Sequence, residues 1–192
     1  RKFNDTYGET LTEPDIILPE NQACFRLPGT DGKAKMSKSL GNCIYLSDEP
    51  DVIKSKIMSM YTDPTHIRKE DPGHTKGNPV FTYLEAFCNP EHFKEFMPDY
   101  KNLDELKAHY ERGGLGDVTV KKFLNNVMQK ELEIIRERRK MWEQRLPDVY
   151  DILYQGSMKA KTVAANTLEE VKHSMKIDYF ENKNLLSKEN ER

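Results

Sequence analysis

Long apolar stretches are missing from this chain. None approaches the roughly 20 consecutive apolar residues that a membrane-crossing helix requires, and no secretory leader pattern is visible, so a cytoplasmic protein with no membrane partner is expected. Cysteine is scarce: Cys24, Cys43 and Cys88 are widely spaced, form no Cys-x-x-Cys pair and keep no metal spacing with His66, His74, His92, His109 or His173. That pattern excludes a disulfide framework, predicts three reduced thiols and gives no candidate metal ligands. A dominant charge is also lacking. Thirty Lys and Arg face 32 Asp and Glu, a formal charge of −2, so no global basicity advertises nucleic acid. There is no repeat of fixed period and no low-complexity segment. Charged residues make up 32% of the chain and hydrophobic ones 36%, the balance of a soluble, helix-rich protein.

Against this background one run stands out: Lys35-Met36-Ser37-Lys38-Ser39, followed at once by Leu40-Gly41-Asn42. Two lysines straddle the first serine, Lys33 adds a third cation, and glycines at 29, 32 and 41 free the backbone to bend. Such a loop offers ammonium groups, hydroxyls and backbone N–H donors to a polyphosphate. A solvated surface loop has the same composition, so composition alone decides nothing. The order of residues does: a given five-residue string arises by chance in a chain of this size on the order of once in ten thousand. A P-loop is excluded, because Gly32-Lys33 lacks both the glycine five residues earlier and the following Ser or Thr.

Residues 1–7 read as the end of a helix closed by Gly8, followed by a Pro/Asp/Glu-rich connector with Ile16-Ile17-Leu18 as an apolar island. Ala23–Leu27 reads as a brief strand ended by Pro28-Gly29, and Cys43–Leu46 as a second short extended piece. Ser47 or Asp48 is placed to cap a helix with Pro50 in its first turn. Beyond it, helices are expected over 80–88, 91–97 and 103–111, the last stopped by Gly113-Gly114. The longest periodic stretch runs from Asp117 to about Arg145, with Leu124, Met128, Leu132, Ile135, Trp142 and Leu146 on one face and Val120, Phe123, Val127 and Ile134 widening it. Pro147 is read as its end. A short helix near 148–155 stopping at Gly156 follows, then a final helix capped by Ser157, with Ala160, Val163, Ala164, Leu168, Val171 and Met175 facing inward. The fold class is therefore mainly α, with a small α/β remnant before a helical region.

The run at 35–39 resembles the KMSKS signature of class I aminoacyl-tRNA synthetases, and its extended form from Gly32 to Asn42 is a close match. The resemblance implies a loop that follows the last strand of a Rossmann-type catalytic domain and binds ATP, with Mg²⁺, while an amino acid carboxylate attacks the α-phosphate. On that basis Lys35 and Lys38 are the expected catalytic phosphate ligands. Met36, Ser37 and Ser39 complete the ATP-binding run, Met36 as the packing residue that seats the loop. The flanks narrow the family. Phe3–Glu9, Thr62-Asp63-Pro64, Asp71-Pro72-Gly73, Gly77–Phe81 and Val163–Lys172 are similar to the tryptophan-specific members. That implies tryptophan and ATP as substrates, a tryptophan-accepting tRNA as partner, and a homodimer. It divides the chain into residues 1–47 as the carboxy-terminal part of the catalytic domain, 48–180 as an all-helical anticodon-binding domain, and 181–192 as a polar tail. No His-x-Gly-His, the family's earlier signature, occurs in the sequence, so a carboxy-terminal fragment of a longer enzyme is expected.

Two other readings stay open on the sequence: a tyrosyl or other class I synthetase, and a non-catalytic helical RNA-binding or interaction module. The cations Lys130, Arg136, Arg138, Arg139, Lys140 and Arg145 outnumber the acids among them, which an exposed mixed-charge helix face explains as well as phosphate contacts do.

Overall fold

The computed structural model describes residues 1–179, so the polar tail expected over 181–192 lies outside the described residues. The chain divides into two compact units, one formed by residues 18–141 and the other by residues 1–17 with the chain from 142 onward. The described residues form helices and turns, with one isolated antiparallel bridge between Pro28 and Lys35.

In the larger unit, helices α2 (Pro50–Met58), α3 (Pro79–Phe87), α4 (Pro90–Phe96), α5 (Leu103–Arg112) and α6 (Asp117–Glu143) close around one core. Ile53 and Ile57 come from α2, Phe81 and Leu84 from α3, Phe93 from α4, Leu106 and Tyr110 from α5, and Val120, Leu124, Val127 and Met128 from α6. Asparagine punctuates these helices. Asn78 accepts from the Val80 amide, Asn89 accepts from the Glu91 and His92 amides, and Asn102 accepts from the Glu105 amide, each satisfying donors at a helix start. Proline follows Asn78 and Asn89 at the first helical position, where its missing N–H leaves no bond unmade.

Several local expectations are corrected. Ala23–Leu27 forms no strand: Asn21 accepts from the Ala23 amide, and Gln22–Cys24 coil into a single 3₁₀ turn with no neighbouring strand to pair. Cys43–Leu46 is not a strand either, because Tyr45 and Asp48 exchange bonds across a turn, the Tyr45 amide reaching the Asp48 carboxylate at 2.8 Å. Asp48 is thereby committed to that turn and to Lys56, and α2 starts after Glu49 without a side-chain cap.

Helix α6 ends at Glu143, and Pro147 lies in the first turn of the next helix instead of terminating the previous one. Of its predicted face, Leu124, Met128 and Leu132 are buried, whereas Ile134, Ile135 and Trp142 are exposed.

In the smaller unit, α1 (Lys2–Tyr7) closes on Gly8 at φ 94, as expected, and the Asn4 side chain ties the following turn through the Thr10 and Leu11 amides. The two helices predicted on either side of Gly156 are one, α7 (Leu146–Ser174). A glycine in a helix interior costs about 1 kcal/mol relative to alanine, too little to break a helix this long. The inward face expected from Ala160 to Met175 is not buried: Val163 is 59% and Leu168 54% exposed, while Val171 and Met175 are half-covered. Thr10 and Ser174 meet hydroxyl to hydroxyl at 2.7 Å, joining the start of this unit to the end of α7.

Candidate functional site

Each residue of the signature run sits on a frame that the surrounding sequence builds. Pro28 and Lys35 form the bridge at its base, the Gly29 amide donates to Ala34 O at 2.8 Å, and the Gly32 amide returns to Gly29 O at 3.0 Å, folding 29–34 into a tight hairpin-like turn. Gly32 takes φ 68, a conformation that suits a residue without Cβ, and lies against the Tyr61 ring.

Asn42 is the hub. Its side chain is almost fully buried; its Oδ1 accepts from the Ser37 amide at 2.8 Å, and its Nδ2 donates to Asp31 at 3.2 Å and to Lys35 O at 3.4 Å. Its backbone O accepts from the Thr30 amide at 2.9 Å. The amide can occupy this place because Gly29 leaves it empty: a Cβ there would stand 2.1 Å from Asn42 Nδ2. Asp31 also accepts from the Lys33 and Ala34 amides. The Lys33 amide leads the bonds that hold its carboxyl below the usual carboxylate range, against a smaller upward push from burial. The opposite side is anchored by Tyr83, whose hydroxyl donates to Pro28 O at 2.9 Å. Burial is the main cause raising the Tyr83 phenol, which keeps it a donor.

On this frame the five predicted residues separate. Lys35, Lys38 and Ser39 are exposed, Met36 and Ser37 half-buried. The Ser37 and Ser39 hydroxyls meet at 2.9 Å, and the Gly41 amide closes a turn on Lys38 O at 3.2 Å. Met36 packs on the helical core and borders an apolar cavity of about 380 Å³ with Leu27, Ile44, Tyr83, Leu132 and Ile135. The backbone is thus held from below while two ammonium groups remain free to meet a solvent-side anion. No His, Cys, Asp or Glu cluster among the described residues is arranged to hold a metal ion, and the oxygens of Asp31 are already engaged.

A second polar system, not foreseen from the sequence, lies where the 58–74 segment meets α5 and α6. Asp63 accepts from the Thr65 amide and hydroxyl and from the His74 amide and ring. Burial pushes its carboxyl up, but these bonds outweigh it and hold the pKa far below the normal range. Asp117 accepts from Tyr110 at 2.8 Å and bonds His66 at 2.9 Å. Lys121, 5% exposed, points its ammonium at the end of α2. Asn42 and Lys121 left no sequence signal beyond their types; an asparagine after a loop glycine is the one hint that a side chain organises the turn.

The loop thus presents exposed lysines and serine hydroxyls on a hydrogen-bonded base, and comparison with known proteins gives the family of the chain. Residues 1–133 match the model of the class I tRNA synthetases (W and Y), and the chain belongs to that family. It is 58% identical over 183 residues, 95% of its length, to a tryptophan–tRNA ligase of Clostridium longisporum, and 53% identical over 181 residues to that of Lactococcus lactis subsp. lactis. The chain spans about half, 51%, of the length of these curated relatives. Among solved structures it is similar to tryptophanyl-tRNA synthetase from Campylobacter jejuni, at 27% identity with a TM-score of 0.64 over 91% of this chain and 50% of that one. A second structure of that enzyme, complexed with ADP and tryptophan, gives 28% identity and a TM-score of 0.65.

Proposed function

We propose that the whole protein is a tryptophan–tRNA ligase: it activates tryptophan with ATP to the adenylate and transfers it to tRNA, as a cytoplasmic homodimer. Residues 1–47 end the catalytic domain and 48–180 form the anticodon-binding helices. One observation carries the reading: the Lys35–Ser39 run is fixed through Asn42 and Met36 while both lysine side chains stay exposed. The similarity to tryptophan–tRNA ligases supports the choice of amino acid, and the structural neighbour complexed with ADP and tryptophan supports an adenine nucleotide as the ligand.

In this mechanism Lys35 and Lys38 meet charge that grows on the departing pyrophosphate, and Ser37 and Ser39 add hydroxyl and N–H donors. Mg²⁺ carried on the nucleotide phosphates would supply further charge neutralisation. Such contacts matter more in the transition state than in the ground state, and their worth increases as water leaves the site. Residues 1–192 alone are inactive in this reading, because the other half of the ATP site lies elsewhere in the full-length protein.

The test is Lys38→Ala in the full-length enzyme. Losing one preorganised contact of this kind costs roughly two to three decades in rate, so single-turnover adenylate formation falls far more than ATP affinity. Lys38→Arg recovers little, since a planar guanidinium does not replace a compact ammonium. An unchanged single-turnover rate would make the loop a binding element only. Pyrophosphate exchange driven by tyrosine in place of tryptophan would assign the enzyme to the other branch of the family.

A further inference from the structure

We propose that Lys121 is a positioning residue for the signature loop, acting through the turn that ends α2. The inference rests on the reading of residues 35–39 as the phosphate-meeting loop.

The Lys121 side chain rises from the second turn of α6 into the core and is 5% exposed. An ammonium has three protons to place, and all three find acceptors in one short segment. Nζ donates to Met58 O at 3.1 Å, to Met60 O at 2.7 Å and to Thr62 Oγ1 at 2.9 Å. The carbonyl end of α2 is the favourable place for a cation. Asp117, one turn earlier, does not compete, since its oxygens are committed to Tyr110 and His66. Burial still lowers the Lys121 pKa, with Asp117 opposing.

From this turn a continuous path reaches the signature. The Tyr61 amide, between two residues that Lys121 holds, donates to Thr30 O at 3.0 Å. The Thr30 amide donates to Asn42 O at 2.9 Å, and Asn42 Oδ1 accepts from the Ser37 amide at 2.8 Å. The Tyr61 side chain also backs Gly32, where an added Cβ would stand 3.0 Å from Tyr61 Cβ. Thr30 is therefore clamped on both backbone groups, by the α2 turn and by the hub of the loop. A core that needed only volume at position 121 would place an apolar residue there; the ammonium instead fixes one conformation of residues 58–62, and with it the height at which the loop sits.

The experiment uses the full-length protein with Lys121→Met, which keeps the stem and removes the donors, Lys121→Gln, which keeps two, and Leu106→Ala, a cavity in the same core off this path. Lys121→Met should lower the single-turnover rate of adenylate formation roughly ten- to hundredfold, the scale of a small misplacement of reacting groups. ATP affinity should change by less than about threefold, and Lys121→Gln should recover part of the rate. Leu106→Ala should lower Tm at least as much and leave the rate of the folded enzyme unchanged. If Lys121→Met behaves like Leu106→Ala, losing stability and no rate, the proposal is overturned. A parallel readout needs no turnover: amide exchange at Ser37 should speed up in Lys121→Gln, and unchanged protection there overturns the proposal even if Lys121→Met does not fold. Absence of tryptophan-dependent exchange in the wild-type enzyme would instead overturn the parent reading, leaving the Ser37 measurement to decide the path.

Discussion

Helices α6 and α7 are nearly equal in length, 27 and 29 residues, and both carry apolar residues at helical spacing, yet α6 buries seven residues and α7 none. The difference lies in the neighbours. The first half of α6 shares a core with α2, α3, α4 and α5, whereas among its described residues the unit that holds α7 contributes one other helix, the six-residue α1. Periodicity announces which face is apolar; only the elements packed against that face turn it into stability, and in water most helical stability comes from such packing. Helix α7 relies instead on local propensity; Thr162 and Thr167 bond the carbonyls of Met158 and Val163 four residues back, which satisfies their hydroxyls without strengthening the helix.

The contrast is most sharply tested by truncation. Phe123→Ala, at a ring 3% exposed and packed on Phe93 at 4.9 Å, should cost about 3–5 kcal/mol in denaturant unfolding. Val163→Ala on α7 should cost less than about 1 kcal/mol. A loss at Val163 as large as that at Phe123 would mean that the α7 face is covered in solution, and the comparison would break.

The polar core of the larger unit sharpens it next. Asp63→Asn should destabilise by about 1–3 kcal/mol at neutral pH, because a buried carboxylate with four donors loses its charge. The sign with pH follows from the depressed folded-state pKa. Its contribution is fully present above the unfolded value near 4 and is lost as pH falls below that value toward the folded one. Urea titrations at pH 7 and at stepped acid pH should therefore show the wild-type advantage over Asp63→Asn shrinking in acid.

The smallest effect has the opposite sign. Gly156→Ala should stabilise α7 by about 0.5–1 kcal/mol, since a Cβ there meets nothing within 4 Å. Gly73, in the larger unit, would set the same methyl 2.2 Å from the Tyr110 ring, so Gly73→Ala should destabilise. A thermal melt of the two variants reads both directions.

Where the chain punctuates itself, the fold was legible. The starts of α3, α4 and α5 fall within a residue of expectation, because Asn78-Pro79, Asn89-Pro90 and Asn102 act as local caps whose chemistry needs no tertiary context. Gly156 misled because glycine breaks a helix only when something else offers the freed backbone an alternative, and Pro147 because proline suits a helix start as well as an end. At the candidate site, the run from Lys35 to Ser39 stands out in the sequence as a pattern. Its supports could not: Asn42, Tyr83, Tyr61 and Lys121 gain their roles from partners distant in sequence, and a buried lysine looks like any other until its acceptors are placed.

The overlap of Gly29 with Asn42 makes these two positions a single choice. The amide of one residue stands where the other's side chain would begin, so neither can change alone. Alanine at 29 would evict the group that holds the Ser37 amide; a smaller residue at 42 would leave a hole that glycine cannot fill. Among relatives and in any redesigned variant, substitutions at the two positions should travel together, and a lineage that altered one first would cross a stage with a loosened Lys35–Ser39 loop. This linkage leaves drift little access to the base of the signature, while the exposed lysine tips carry no comparable packing constraint.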